Sequence, residues 1–190
     1  MLKQDKNKLP DTIRTTSIPG LIFIKRPIYE DERGFFRELV RVNEIEEAIG
    51  VNFKFKQWSF SKSNPKVIRA LHSEDQNKII FPIYGKLFAA YVDTRPSSKT
   101  FGKVYTHTFD GNENEAVFIP KGVANSLCVI DDKPIYYMYL IDEYYDPKKT
   151  KGIAWDDPDL AIDWPVKDPI ISERDRNNST LREVFPEKFK

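Results

Sequence analysis

One cysteine, two histidines, eight glycines and no long apolar run set the first limits on this 190-residue chain. With Cys128 alone, no disulfide can close within the chain, which suits a reducing compartment. Charge of one sign is also missing. The formal net charge of +1 gives no electrostatic reason to expect nucleic acid or an anionic membrane as a partner. No apolar stretch approaches the roughly 20 residues that span a bilayer, and the polar start Met1-Leu-Lys-Gln-Asp lacks a signal-peptide core. The expectation is a soluble, cytoplasmic protein without nucleic-acid or membrane partners. The glycines do not gather into a phosphate-cradling loop, and neither zinc-ligand spacing nor a nucleophile elbow occurs.

What is present is a text of short strands. Hydrophobic residues make up 40% and aromatics 13%, enough for one sizeable core in a strand-rich domain. Residues 1–17 are polar and read as an N-terminal arm. Residues 18–190 read as one domain. Strands are predicted over 21–29 and 35–40, around the turn Asp31-Glu-Arg-Gly34. Further strands are predicted over 53–61, 67–72, 78–84, 86–93, 102–109, 116–119, 126–130 and 135–141. One helix is expected from Asn43, as its cap, to the stop at Gly50. Many short strands at close spacing argue for an all-β sandwich or barrel of jelly-roll type. The Pro-, Asp- and Lys-rich text after Tyr144 predicts loops and short helices packed on it through Trp155, Trp164 and Ile171.

Few residues could carry chemistry. His72 ends the run Val67-Ile-Arg-Ala-Leu-His, whose alternation is expected to carry Arg69 and His72 inward. A lone histidine in a strand is more often structural, but an imidazole near neutral pH can also take and return a proton. Lys78 follows after a short polar stretch. It reads either as a surface lysine or as a fixed cation for an enolate or phosphate. Asp175 lies in a polar cluster that could fold back on His72. Tyr139 shares a strand face with Tyr137 and is either core or proton donor. Arg33 and Arg69 have the fork geometry that grips a diphosphate, while Arg33 and Glu38 otherwise read as solvated turn and strand charges. Phe118-Ile-Pro-Lys-Gly-Val-Ala-Asn125 is similar to the second motif of cupins, with Asn125 at the usual histidine. His72 and His107 are too few for the several imidazoles of a metal-binding cupin, so no metal is expected.

Taken in order, these segments resemble the dTDP-4-dehydrorhamnose 3,5-epimerases, the RmlC-like branch of the cupin fold. The matching text includes Asp31-Glu-Arg-Gly-Phe-Phe, Gln57 with Ser59, Ile68-Arg-Ala-Leu-His72, Lys78, Val92-Asp-Thr-Arg, Thr100-Phe-Gly and Ile119-Pro-Lys-Gly. It continues through Tyr139, Glu143-Tyr-Tyr, Trp155-Asp-Asp-Pro, Ile162-Asp-Trp-Pro and Pro169-Ile-Ile-Ser-Glu-Arg-Asp175. The resemblance implies a cupin-type jelly-roll barrel with a few peripheral helices. It implies epimerisation at C3 and C5 of a nucleotide-diphospho-4-keto-6-deoxysugar, with no metal or organic cofactor. His72 oriented by Asp175 matches the base, Lys78 the residue that steadies the enolate, and Tyr139 the acid on the opposite face. Arg33, Glu38, Gln57, Ser59, Arg69, Asn125 and Arg174 match binding positions. Arg33 and Glu38 would reach in from the other subunit of a homodimer.

Overall fold

Strands that alternate along one face must bury that face against another layer. A computed structural model, describing residues 11–189, shows how this chain does so. Thirteen strands run in order: β1 (Ile13–Thr15), β2 (Ile22–Lys25), β3 (Ile28–Asp31), β4 (Gly34–Arg37), β5 (Gln57–Ser63), β6 (Ile68–Ser73), β7 (Lys78–Tyr84), β8 (Lys86–Asp93), β9 (Val104–Asp110), β10 (Glu115–Ile119), β11 (Val123–Val129), β12 (Ile135–Ile141) and β13 (Lys151–Gly152). The sheet orders are β1-β2-β10-β7-β12-β5 and β13-β6-β11-β8-β9, with β3-β4 as a separate hairpin. All named pairings are antiparallel, and few sequential strands are neighbours, as a jelly roll requires. The molecule is a cupin-type jelly roll.

Between the two sheets lie Phe23, Leu87, Tyr91, Phe109, Val117, Leu127, Val129 and Tyr137. Outside the first sheet, the helix α1 (Val42–Ile49) packs Ile45 onto Ile79, Phe81 and Phe118. Behind the second sheet the C-terminal segment packs through Leu160, Leu181 and Phe185, and through Ile171, Trp155 and Trp164. Trp155, Trp164 and Ile171 therefore do the anchoring expected of them. Cys128 is buried there, and burial pushes its thiol up to about 12, so it is inert at neutral pH. His107, the second histidine, is held by Glu115 at 2.7 Å and lies edge-on to Phe23 and Phe109. Burial pushes the Glu115 carboxyl up, but bonds from His107 and Arg14 outweigh it and hold it below its ordinary value.

Several expectations are corrected. Of the arm expected over 1–17, residues 1–10 lie outside the described residues, and Ile13–Thr15 joins the sheet edge as β1, paired with β2. The strand expected over 21–29 breaks at Pro27, which has no N–H to donate to a ladder. The helix begins at Val42 with Arg41 as its cap and no side-chain capping bond, so Asn43 is not the cap; Gly50 does stop it, with a left-handed φ of 68°. The strand expected from residue 53 begins at Gln57, because Phe53 packs into the α1 cluster instead.

Two of the motifs carry scaffold rather than chemistry. Asp93, fully buried, accepts from the Arg95 guanidinium and backbone and from the Ser98 and Thr100 hydroxyls, pinning the loop that follows β8. Asp157 does the same for three backbone N–H groups, those of Asp159, Leu160 and Leu181. Burial raises the Asp93 carboxyl, but the bonds from Arg95, Ser98 and Thr100 win and hold it at about 2. Against an ordinary value near 3.9, that difference is worth roughly 2–3 kcal/mol at neutral pH. The folded value lies below the unfolded one, so this stability is full above about pH 4 and disappears as pH falls through about 2. Asp93→Asn should lower the melting temperature by about 5 °C at pH 7 and by progressively less toward pH 2. Equal losses at both pH values would show that the carboxylate charge is not what stabilises the loop.

Candidate active site

Two residues three apart in a regular strand point to opposite faces. Arg69 and His72 nevertheless share the inner face, because β6 carries a bulge. Leu127 pairs with Arg69 and Asn125 with His72, so between these pairs one residue of β11, position 126, opposes two of β6, positions 70 and 71. Asn125 alternates with Val123 and Leu127, which lie in the inner core, and His72 opposite it faces the same way. Simple alternation does not account for this placement. The Asn125 amide donates to the His72 carbonyl at 3.1 Å and so ties down the end of the bulge.

Asp175 reaches His72 because the C-terminal segment is zipped along the outer edge of β6. Ile68 N–H donates to the Ile170 carbonyl, Ile170 N–H to Lys66, and Ile153 N–H to Leu71. Gly152 pairs with His72 while the Asn178 side chain lies so close that a Cβ would stand 2.1 Å from its oxygen. Ser172 then caps the short helix α2 (Glu173–Arg176), and its hydroxyl accepts from the Asp175 N–H. The result is a contact of 2.8 Å between His72 Nε2 and Asp175 Oδ1, with the imidazole 26% exposed and the carboxylate 6%. Such a carboxylate fixes the ring and leaves its other nitrogen for proton transfer.

The opposite wall comes from the first sheet. Lys78 pairs with Ile119 and Ile141, and Tyr139 with Ile80 and Ser59, two residues further along the strand. Tyr139 stacks on Tyr137, ring centroids 6.3 Å apart, and Lys78 Nζ stands 5.5 Å from the Tyr139 centroid. His72, near the end of β6, and Lys78, first in β7, flank the four-residue connection 74–77 and so share one rim of the sandwich. Gln57 donates to the Ser59 hydroxyl at 3.1 Å and accepts from Tyr145 N–H at 3.0 Å. The Tyr145 hydroxyl accepts from Arg174 at 3.1 Å, so one tyrosine joins β5 to α2 across the mouth. That bond holds the Arg174 guanidinium above its ordinary value. Arg69 donates to the Ser63 hydroxyl and the Lys62 carbonyl, linking the two sheets on the same side.

Two expected residues stand elsewhere. Arg33 is at the tip of the β3–β4 hairpin, paired with Asp31 and almost wholly exposed. Glu38 accepts from the buried Arg26 and from Arg41. No contact among the described residues joins either to His72, Lys78 or Tyr139. Sequence reasoning missed Glu74, whose carboxylate meets Lys78 Nζ, and the role of Tyr145 inside its motif. Among the described residues, no group of three or more His, Cys, Asp or Glu side chains is placed to hold a metal ion.

Residues 15–183 match the family model for dTDP-4-dehydrorhamnose 3,5-epimerase. The enzyme of that name from Methanothermobacter thermautotrophicus is 38% identical over 88% of this chain and 93% of its own. A dTDP-4-dehydrorhamnose 3-epimerase from Streptomyces niveus is 33% identical over 90% of this chain and 84% of its own. The crystal structure of the Legionella pneumophila 3,5-epimerase in complex with dTDP-4-keto-L-rhamnose superposes with a TM-score of 0.85 at 34% identity, covering 92% and 95% of the two chains.

Proposed function

The chain belongs to the dTDP-4-dehydrorhamnose 3,5-epimerase family, and we propose that its rim residues act as that reaction's base, acid and oxyanion clamp. It is an isomerase that inverts C3 and C5 of a nucleotide-diphospho-4-keto-6-deoxysugar. The C4 ketone acidifies the protons on both neighbouring carbons and takes up the electron pair as an enolate. The substrate is thus its own electron sink, and the chemistry calls for no metal or organic cofactor. His72, oriented by Asp175, removes the proton. Lys78 steadies the enolate oxygen, and Tyr139 returns a proton from the other side.

The observation that carries this assignment is the facing of two walls. His72, bonded to Asp175 of α2, belongs to one sheet, and Tyr139 and Lys78 belong to the other. Packed sheets stand about 10 Å apart, so a sugar ring held between them has an imidazole on one face and a phenol on the other. Gln57, Ser59, Arg69 and Arg174 line the approach, with hydroxyl, amide and guanidinium groups suited to ribose and diphosphate oxygens. Asn125 holds the base's backbone. Incubating the protein with dTDP-4-keto-6-deoxyglucose in deuterated water should place deuterium at both C3 and C5, mapped by NMR. Deuterium at one carbon would make it a single-centre epimerase, as the Streptomyces niveus relative is named. Deuterium at neither would leave a binding protein.

A homodimer is part of this reading. Phe35 and Phe36 on the β3–β4 hairpin and Trp58 and Phe60 on the edge strand β5 are all exposed, an apolar surface that invites burial. Arg33 at the hairpin tip would then enter the other subunit's mouth, with Glu38 at the hairpin's exit. Light scattering should give twice the chain mass, and Trp58→Asp should yield monomer with little activity. A fully active monomer would overturn the shared site. A cytoplasmic setting suits the one buried thiol, Cys128. Among the described residues, no helix is long and apolar enough to cross a membrane.

A further inference from the structure

Lys78 and Glu74 form an ion pair across the β6–β7 connection with only 10% and 11% of their side chains exposed. An ammonium taken this far out of water costs several kcal/mol unless a carboxylate meets it, and Glu74 is the residue that does. The connection itself is fixed at both ends. The Glu74 carbonyl accepts from Gly122 N–H at 2.9 Å. Asn77 donates from its backbone and its amide to the Asp142 carboxylate at 2.9 and 2.7 Å, and accepts from Lys121 N–H at 3.0 Å. Glu74 is therefore held in place before any ligand arrives.

A lysine head carries three N–H donors on a four-carbon stem with about 2 kcal/mol of rotamer entropy. One donor is committed to Glu74, and the head stands beside the Tyr139 ring. Two further donors remain to meet a ligand oxygen. We infer that Glu74 is a positioning residue for the epimerase reaction: its carboxylate fixes the Lys78 head beside Tyr139, where the substrate's C4 oxygen becomes negative. This rests on the role proposed above for Lys78. Negative charge on that oxygen develops only on the way to the enolate, so a well-placed donor there acts on turnover more than on binding.

Glu74→Gln keeps the shape and removes the charge. It should lower kcat roughly ten- to a hundredfold, a loss of about 1.4–2.8 kcal/mol, with KM changed less than about threefold. Glu74→Asp should recover part of the loss. In a Lys78→Ala background, measured by the slow uptake of deuterium at C3 and C5, adding Glu74→Gln should cost less than about twofold, because residues acting through one another are not additive. Wild-type kcat in Glu74→Gln would overturn the inference, as would the same fold-loss with and without Lys78, or a change confined to KM. Those results differ from failure of the underlying reading, in which Lys78→Ala alone would turn over like wild type.

Discussion

His72→Ala should abolish deuterium uptake at both C3 and C5, with turnover down by about 10²–10⁴, the range of a lost general base. That is roughly 3–5 kcal/mol of barrier. The bulge in β6 turns His72 to the inner face, and Asp175 fixes its ring at 2.8 Å. Alanine leaves the backbone pairing with Asn125 and Gly152 intact. It does take away the imidazole partner of the buried Asp175 carboxylate, at a cost of about 1–3 kcal/mol in stability, so the melting curve must show that the variant is folded at the assay temperature. His72→Gln, which can still donate to Asp175, guards against misreading a folding defect. Both variants should lose exchange alike. Uptake at either carbon at the wild-type rate in a folded His72→Ala protein would remove His72 from the proton transfer at that carbon.

Parts of this site were legible in the sequence, and the reason differs from residue to residue. Strands 78–84, 86–93 and 135–141 have the bounds expected of them, since alternation and the Tyr84-Gly85 turn mark their ends. Tyr137 and Tyr139 do share a face. The register of β6 was not legible: a bulge depends on the partner strand, and neither Arg69 nor His72 announces it. The approach of Asp175, 103 residues from His72 in sequence, depends on backbone bonds that any residue type could make. In β5 the polar residues Gln57, Ser59 and Ser61 alternate with Trp58 and Phe60, and it is the aromatics that are exposed. Such a strand inverts the usual core pattern, because its inner face lines a polar mouth. That inversion was a signal available in the sequence. Glu74 left none, since a carboxylate four residues before a lysine is ordinary in a solvated loop.

Tyr139→Phe should separate the two half-reactions. Its ring stacks on Tyr137 and lies beside Lys78, and both contacts survive the loss of one hydroxyl. Barrel packing is therefore kept, and the stability change should stay within about 0.5 kcal/mol. Proton abstraction by His72 and steadying by Lys78 are untouched, so the enolate still forms. What disappears is the acid on the far face. The enolate can then be reprotonated only from the side of His72, whose proton exchanges with solvent, and the carbon regains its original configuration. The expected result is deuterium uptake with retention, together with a fall in inverted product of about 10²–10³. His72→Ala stops exchange and inversion together, whereas Tyr139→Phe stops inversion and spares exchange. If Tyr139→Phe lowers both to the same degree, Tyr139 serves enolate formation or binding rather than reprotonation. If it binds more weakly but turns over fully at saturating substrate, the phenol only holds the sugar, and the proton on that face comes from another donor.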